Sequence, residues 1–350
     1  FIKKDQMIKI KLNKIFITRY KNYLESNIFK NQVSFSKSIY WEHHSNLITS
    51  KIDGNSIILE GNSGNYIPDK KNSLGFFYRK FKQIIKKIIR YNINFNLPYK
   101  KAFDEILKDN FYAGQKIFFD KKRLIAKNFK ECKNIFPFKY ELNDHIIRSY
   151  YYLNILNSHI KNSENLNVVE IGGGNGNLIS LIKHHLKSNC IINIDIPETL
   201  MLCIPFLKNL YPDSEMLLPN EIEKNIDEDT LKKYDFIFIT PSQIKQVDEN
   251  IIDLFLNTAS FQEMTAEQIK VYIDFIQEIG KKNSYFFCTN TVEKIPVDGK
   301  FNADELLNVK PNRFFEYPFY ENEILLYQLC KFTSLVQNDP AYLRLEKIKK

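Results

Sequence analysis

The segment Val168-Val-Glu-Ile-Gly-Gly-Gly-Asn-Gly-Asn-Leu178 places Gly172, Gly173, Gly174 and Gly176 directly after a short apolar run and before a helical pattern. A buried strand that ends in such a turn lets backbone N–H groups approach a ligand, because glycine has no Cβ to hold it off. Asp195 closes the next apolar run, 19 residues beyond Gly176. A carboxylate there can accept both hydroxyls of a ribose. A dinucleotide fingerprint asks for Gly or Ala at position 177, which is Asn177 here. The glycines instead follow a GxGxG spacing with Glu170 ahead of them. Acids around the loop suit a cationic nucleoside better than a pyrophosphate. S-adenosylmethionine, with an ammonium, a sulfonium and no phosphate, fits that chemistry. Cofactor contacts are therefore expected from Glu170, Gly172, Gly173, Gly174, Gly176 and Asp195, with Ile196 beside the acid. Arg148 is the expected partner of the ligand's carboxylate.

These residues need a frame. Strand-like apolar runs recur at 167–171, 190–195, 234–240 and 285–289, separated by helical patterns that include 198–210 and 263–279. Strands alternating with helices imply crossovers, and hence an α/β, Rossmann-like, doubly wound and mostly parallel sheet. Glu323–Leu329 suits an added edge strand. The first ~165 residues read as a mostly helical domain. One helix carries Phe77, Phe81, Ile84, Ile85, Ile88 and Ile89 with lysines between them, and another covers about 100–132. Residues 50–75, with Gly54, Gly61, Gly64 and Pro68, read as a hairpin or turn-rich insertion. The polar stretch Lys161–Asn165 marks the seam, giving an accessory unit over 1–165 and a ligand-binding unit over 166–350.

With 44% hydrophobic and 26% charged residues, the 350-residue chain has the balance of a soluble globular protein. Wholesale disorder, collagen-like repeats and a membrane bundle are excluded on that ground. Nor does any stretch approach the ~18 uninterrupted apolar residues of a spanning helix. Five scattered cysteines without CxxC spacing argue against disulfides or structural zinc and for a reducing cytoplasm. Phe1 stands in place of an initiator Met, as in a trimmed chain. Net charge is +9, yet residues 1–165 hold 31 Lys and Arg against 14 Asp and Glu, while 166–350 hold 19 against 27. A first half at +17 and a second at −8 calls for an anionic partner. An anionic small substrate is preferred over nucleic acid, and a peripheral contact with the inner membrane face is an alternative. Oligomeric state is not legible.

The strand-loop-helix 168–178 with Asp195 resembles class I methyltransferases. Asp195-Ile-Pro-Glu-Thr-Leu200, Asn257-Thr-Ala-Ser-Phe-Gln-Glu-Met264 and Arg313-Phe-Phe-Glu-Tyr-Pro318 narrow the likeness to a bacterial sugar O-methyltransferase family, best over residues 143–330. That resemblance implies a class I methyltransferase domain, S-adenosylmethionine as cofactor, and methylation of a sugar hydroxyl of a glycan or nucleotide-sugar in surface-polysaccharide biosynthesis. Thr291 departs from the family pattern, which has Arg there. A sugar hydroxyl is a poor nucleophile at neutral pH and calls for a general base. Glu263, expected after the fourth strand at the sheet's C-terminal edge, is the first candidate and His145 the second. Asn257 and Gln262 are expected to hold substrate hydroxyls. With 234–240 taken as the fourth strand, Thr240-Pro-Ser-Gln243 follows it and supplies no carboxylate, so no metal is expected. Competing readings are a methyltransferase acting on RNA or another small molecule, and a non-catalytic nucleoside-binding scaffold.

Overall fold

The computed structural model describes residues 7–30, 48–61, 144–160, 165–295, 310–330 and 340–350. The N-terminal residues form β1 (Met7–Lys11), α1 (Lys14–Glu25), the single turn α2 (Asn27–Lys30), β2 (Ile48–Asp53) and β3 (Ser56–Gly61). The strands pair antiparallel in the order β1-β3-β2, with Gly54 in the β2–β3 turn. Among the described residues of this half, a small sheet not expected from the sequence stands beside α1. The hairpin expected from residue 50 onward is β2–β3. The amphipathic stretch 77–90 and the helical region 100–132 lie outside the described residues.

After α3 (Asp144–His159) the main domain runs β4 (Val168–Ile171), α4 (Asn177–His185), β5 (Ile191–Ile194), α5 (Pro197–Leu210), β6 (Met216–Leu217), α6 (Glu228–Lys233), β7 (Phe236–Ile239), β8 (Ile252–Thr258), α7 (Ala266–Ile279) and β9 (Gly280–Thr291). A two-residue ladder, β10 (Glu293–Lys294) with β11 (Asn312–Arg313), precedes β12 (Glu323–Leu329) and β13 (Ala341–Lys347). The eight-stranded sheet has the order β12-β13-β9-β8-β4-β5-β7-β6. All pairs from β6 to β9 are parallel, and only β13 runs against its neighbours. This is the expected Rossmann-like, mostly parallel sheet, with β12 at its edge. The strand beside β4 is β8, which is not among the strand-like runs read from the sequence, and 234–240 lies on the far side of β5. Periodicity alone does not separate an apolar run as short as Leu254–Leu256 from a segment of buried helix.

Period-two alternation sends successive strand residues to opposite faces. Val168, Ile191, Phe236, Leu254 and Phe287 join one core with α1, α3, α4 and α5. Val169, Ile192, Ile237, Phe255 and Phe286 join a second core with α7. Helices on both faces leave a crevice at the carboxyl ends of β4 and its neighbours, where the winding direction reverses.

The N-terminal helix is built into this frame rather than set apart from it. Pro205 lies inside α5 and has no N–H to give the carbonyl of Met201. The Tyr20 hydroxyl donates to that carbonyl at 2.9 Å, and Tyr23 donates to the Pro197 carbonyl at 3.2 Å. Both tyrosines are fully buried. Arg19 adds a two-pronged ion pair to Glu221, both contacts at 2.7 Å. The two tyrosines, 174 and 181 positions away, thereby fix the first turns of the helix that follows Asp195. Among the described residues no helix is long and apolar enough to cross a membrane, and Cys190, Cys203, Cys288 and Cys330 are buried and outside any disulfide.

Candidate functional site

β4 ends at Ile171, and the chain turns at once through Gly172 with φ +71°. A Cβ at Gly172 would fall 2.0 Å from the Ser260 hydroxyl. The turn therefore needs glycine for both its backbone angle and its proximity to the loop after β8. Gly176, also left-handed, starts α4. The Gly174 N–H donates to Asp195 Oδ2 at 2.9 Å, and the Ile196 N–H donates to Asp195 Oδ1 at 2.8 Å. The acid at the end of β5 is thus aimed at the glycine turn before any ligand arrives. Burial pushes the Asp195 carboxyl up to about 7. The two N–H bonds pull it down, and the charge of Glu263 adds to the rise.

These groups line one cleft. Its polar side carries Arg148 from α3, Glu170, the glycine turn, Asp195, Ser260 and Glu263. Its apolar side carries Ile196, Pro241, Ile244, Met264, Val271 and Tyr272. Gln268, Val271 and Tyr272 come from one face of α7, at the three- and four-residue spacing that aligns side chains on a helix. Tyr272 packs against the buried ring of Phe261 at 6.1 Å. Three carboxyl groups and one arginine share the cleft with these apolar side chains, which suit a flat, weakly polar ring.

Glu170, Gly172, Gly173, Gly174, Asp195, Ile196 and Arg148 all reach this cleft, as does Glu263. Gly176 sits behind it, where a Cβ would meet Cys203 Sγ at 2.8 Å. His145 lies in the first turn of α3, three residues before Arg148. Asn257 and Gln262 do not line the cleft. Asn257 is fully buried: its amide N–H donates to the Ile171 carbonyl at 3.0 Å and to Ser260 Oγ at 3.1 Å. Its carbonyl oxygen accepts from Asn290 Nδ2 at 2.9 Å. Gln262 accepts from the Thr291 N–H at 2.8 Å, and its own N–H donates to Asn290 Oδ1 at 3.0 Å. Both residues spend these bonds on the loop 259–264. A polar residue at a strand end looks the same in sequence whether it faces a ligand or satisfies a buried turn.

Asn290 and Asn312 belong to that support and were not anticipated. Asn312 Nδ2 donates to the carbonyls of Phe261 and Met264 at 2.7 and 2.8 Å. Within the loop Ala259 is left-handed, φ +59°, a conformation costing a non-glycine residue about 1–2 kcal/mol. Strain of that kind persists where surrounding bonds over-determine it, and it concentrates at functional sites. Glu263 leaves the loop in a short 3-10 turn and pairs with Lys294 Nζ at 2.9 Å. It is the first carboxylate after the strand that neighbours β4, so the position assigned to Thr240–Gln243 belongs to the loop of Glu263. Among the described residues no three His, Cys, Asp or Glu side chains gather as a metal site.

No protein-family model and no characterised protein sequence matches the chain. Similar solved structures include a SAM-dependent methyltransferase from Aquifex aeolicus, 11% identical, covering 56% of this chain and 88% of that one at a TM-score of 0.35. An S-adenosylmethionine dependent methyltransferase from Mesorhizobium loti is 10% identical, with coverage of 57% and 97% and a TM-score of 0.36. SAM-dependent methyltransferases from Methanosarcina mazei give 10%, 56% and 97%, and 0.37. At such scores the likeness carries no argument of its own; strand order and the cleft do.

Proposed function

We propose that this chain is an S-adenosylmethionine-dependent methyltransferase, and that its acceptor is a sugar hydroxyl of a glycan or nucleotide-sugar. The observation that carries the cofactor is the cleft in which the glycine turn already donates an N–H to Asp195, with the Glu170 carboxyl beside it. A dinucleotide would bring its pyrophosphate to the glycine turn beside Glu170, whereas a sulfonium nucleoside brings an ammonium there.

Asp195 would take the ribose hydroxyls, and Ile196, Pro241 and Ile244 the purine. Glu170 and Arg148 offer opposite charges for the ammonium and carboxylate of an amino acid. When bound, S-adenosylmethionine supplies an electrophilic methyl group. The protein's part is to align an acceptor oxygen with it, which is worth up to roughly 7–11 kcal/mol in ideal cases, and to remove the hydroxyl proton. Glu263 is the proposed base, positioned by its ion pair with Lys294 at 2.9 Å. The sugar acceptor rests on the sequence resemblance and on the +17 charge of residues 1–165, which suits an anionic substrate such as a nucleotide-sugar.

Calorimetry with S-adenosylmethionine and with NAD tests the cofactor. Saturable binding of the first alone is expected, weakened by about 1.5–3 kcal/mol in Asp195→Ala through loss of a charged hydrogen-bond partner. Binding of NAD instead, or of neither, would overturn the reading. Methyl incorporation into a panel of sugars and nucleotide-sugars, followed by mass spectrometry, tests the acceptor.

A further inference from the structure

Beneath the glycine turn lie two buried acceptors without donors. The register of the parallel pair sets Glu170 of β4 directly beside Asn193 of β5, with Leu256 of β8 on its other side. Side chains paired in this way leave the same face of the sheet. Glu170 Oε2 and Asn193 Oδ1 are both buried and have no hydrogen-bond partner among the described residues. Both close on Gly173: a Cβ there would lie 2.5 Å from Asn193 Oδ1 and 2.8 Å from Glu170 Oε2. The other end of Asn193 is engaged, its Nδ2 donating to Cys203 Sγ at 3.3 Å. Two buried acceptor oxygens facing the same glycine repel unless a proton sits between them.

We propose that Glu170 is held as a neutral acid whose hydroxyl donates to Asn193 Oδ1, and that a cationic ligand group entering over the glycine turn expels that proton to solvent. Asn193 is then a positioning residue for Glu170. Binding proceeds as an exchange: the carboxyl O–H breaks, its proton passes to buffer, and the carboxylate left behind faces the arriving cation. The second part rests on the function proposed above; the first concerns the free protein alone.

The surroundings agree. Burial, and after it the charge of Asp195, pushes the Glu170 carboxyl up to about 8. The titratable neighbours on the elements around it are Asp195 at the end of β5, Cys203 on α5 and Arg148 on α3. Cys203 is itself buried and its thiol is pushed well up, so it stays neutral. Asp195 already has N–H donors for both oxygens, which Glu170 Oε2 lacks.

Carbon-13 labelling of glutamate carboxyls in the free protein reads the first part. A protonated carboxyl signal at pH 7, absent from Glu170→Gln, is expected. Its absence from the wild type would overturn the proposal in favour of the opposite amide orientation, with Asn193 Nδ2 donating to an ionised Glu170. Titration of that signal in the wild type serves if Glu170→Gln fails to fold. Calorimetry with S-adenosylmethionine in two buffers of different ionisation enthalpy reads the second part. Wild type should release close to one proton more per ligand than Glu170→Gln, a comparison that sets aside any proton from Asp195. Equal release in the two proteins overturns the exchange. Absence of binding refutes the proposed cofactor yet leaves the carboxyl signal to decide the state of Glu170.

Discussion

The contact between Gly172 and Ser260 joins the glycine turn to the loop carrying Glu263, and its strength can be measured. In Gly172→Ala the new Cβ would fall 2.0 Å from Ser260 Oγ and 2.3 Å from Ser260 Cβ, with Ser260 Cα at 3.8 Å. The left-handed backbone costs alanine about 1–2 kcal/mol, and forcing a methyl into occupied space costs about 1–3 kcal/mol more. Removing the Ser260 side chain entirely abolishes the second cost and leaves the first. Ser260→Gly loses an acceptor for Asn257 Nδ2, which keeps its bond to the Ile171 carbonyl, so that single change should cost about 1 kcal/mol. Gly172→Ala with Ser260→Gly should then be more stable than additivity allows by about 1–3 kcal/mol. Ser260→Ala should rescue little, because its Cβ remains. Equilibrium urea unfolding of these variants gives each value. A coupling smaller than about 0.5 kcal/mol, within the ordinary error of additivity, would refute the packing described.

Three further outcomes are expected. Tyr20→Phe strands the Met201 carbonyl that Pro205 cannot serve, and should cost about 1–3 kcal/mol. The same change in a Pro205→Ala background, where the helix regains its N–H, should cost measurably less in urea unfolding. Below pH 4.5 the folded and unfolded chains both hold the Glu170 proton. Between about 4.5 and 8 only the folded chain does, so stability falls as pH rises through that window, by at most about 1.4 kcal/mol per unit from this group. Asp195 contributes in the same direction between 3.8 and about 7. Glu170→Gln should flatten the Glu170 part in unfolding curves taken across pH. Glu263→Gln should lower methyl transfer by about 10²–10⁴-fold, the usual worth of a general base, while calorimetry shows cofactor affinity unchanged. An unchanged rate would leave Glu263 as a structural partner of Lys294.

Local sequence sufficed for what depends on local order. Glycines cluster where a strand must turn sharply, and an acid closes the next strand. These signals lie within about 30 residues, so Val168–Leu178 and Asp195 were legible together with the crossover rhythm of the sheet. Tertiary structure decided which strand became the neighbour of β4, because Phe236–Ile239 and Leu254–Leu256 are both short apolar runs and differ in long-range pairing. It likewise decided that Asn257 and Gln262 satisfy a buried turn, since a polar side chain's partner is set by what folds over it. The alternating Ile and Lys of β1 acquire meaning only through β3, some fifty residues away. The proton between Glu170 and Asn193 has the same origin: neither residue is unusual alone, and strand register brings the two buried acceptors to face Gly173.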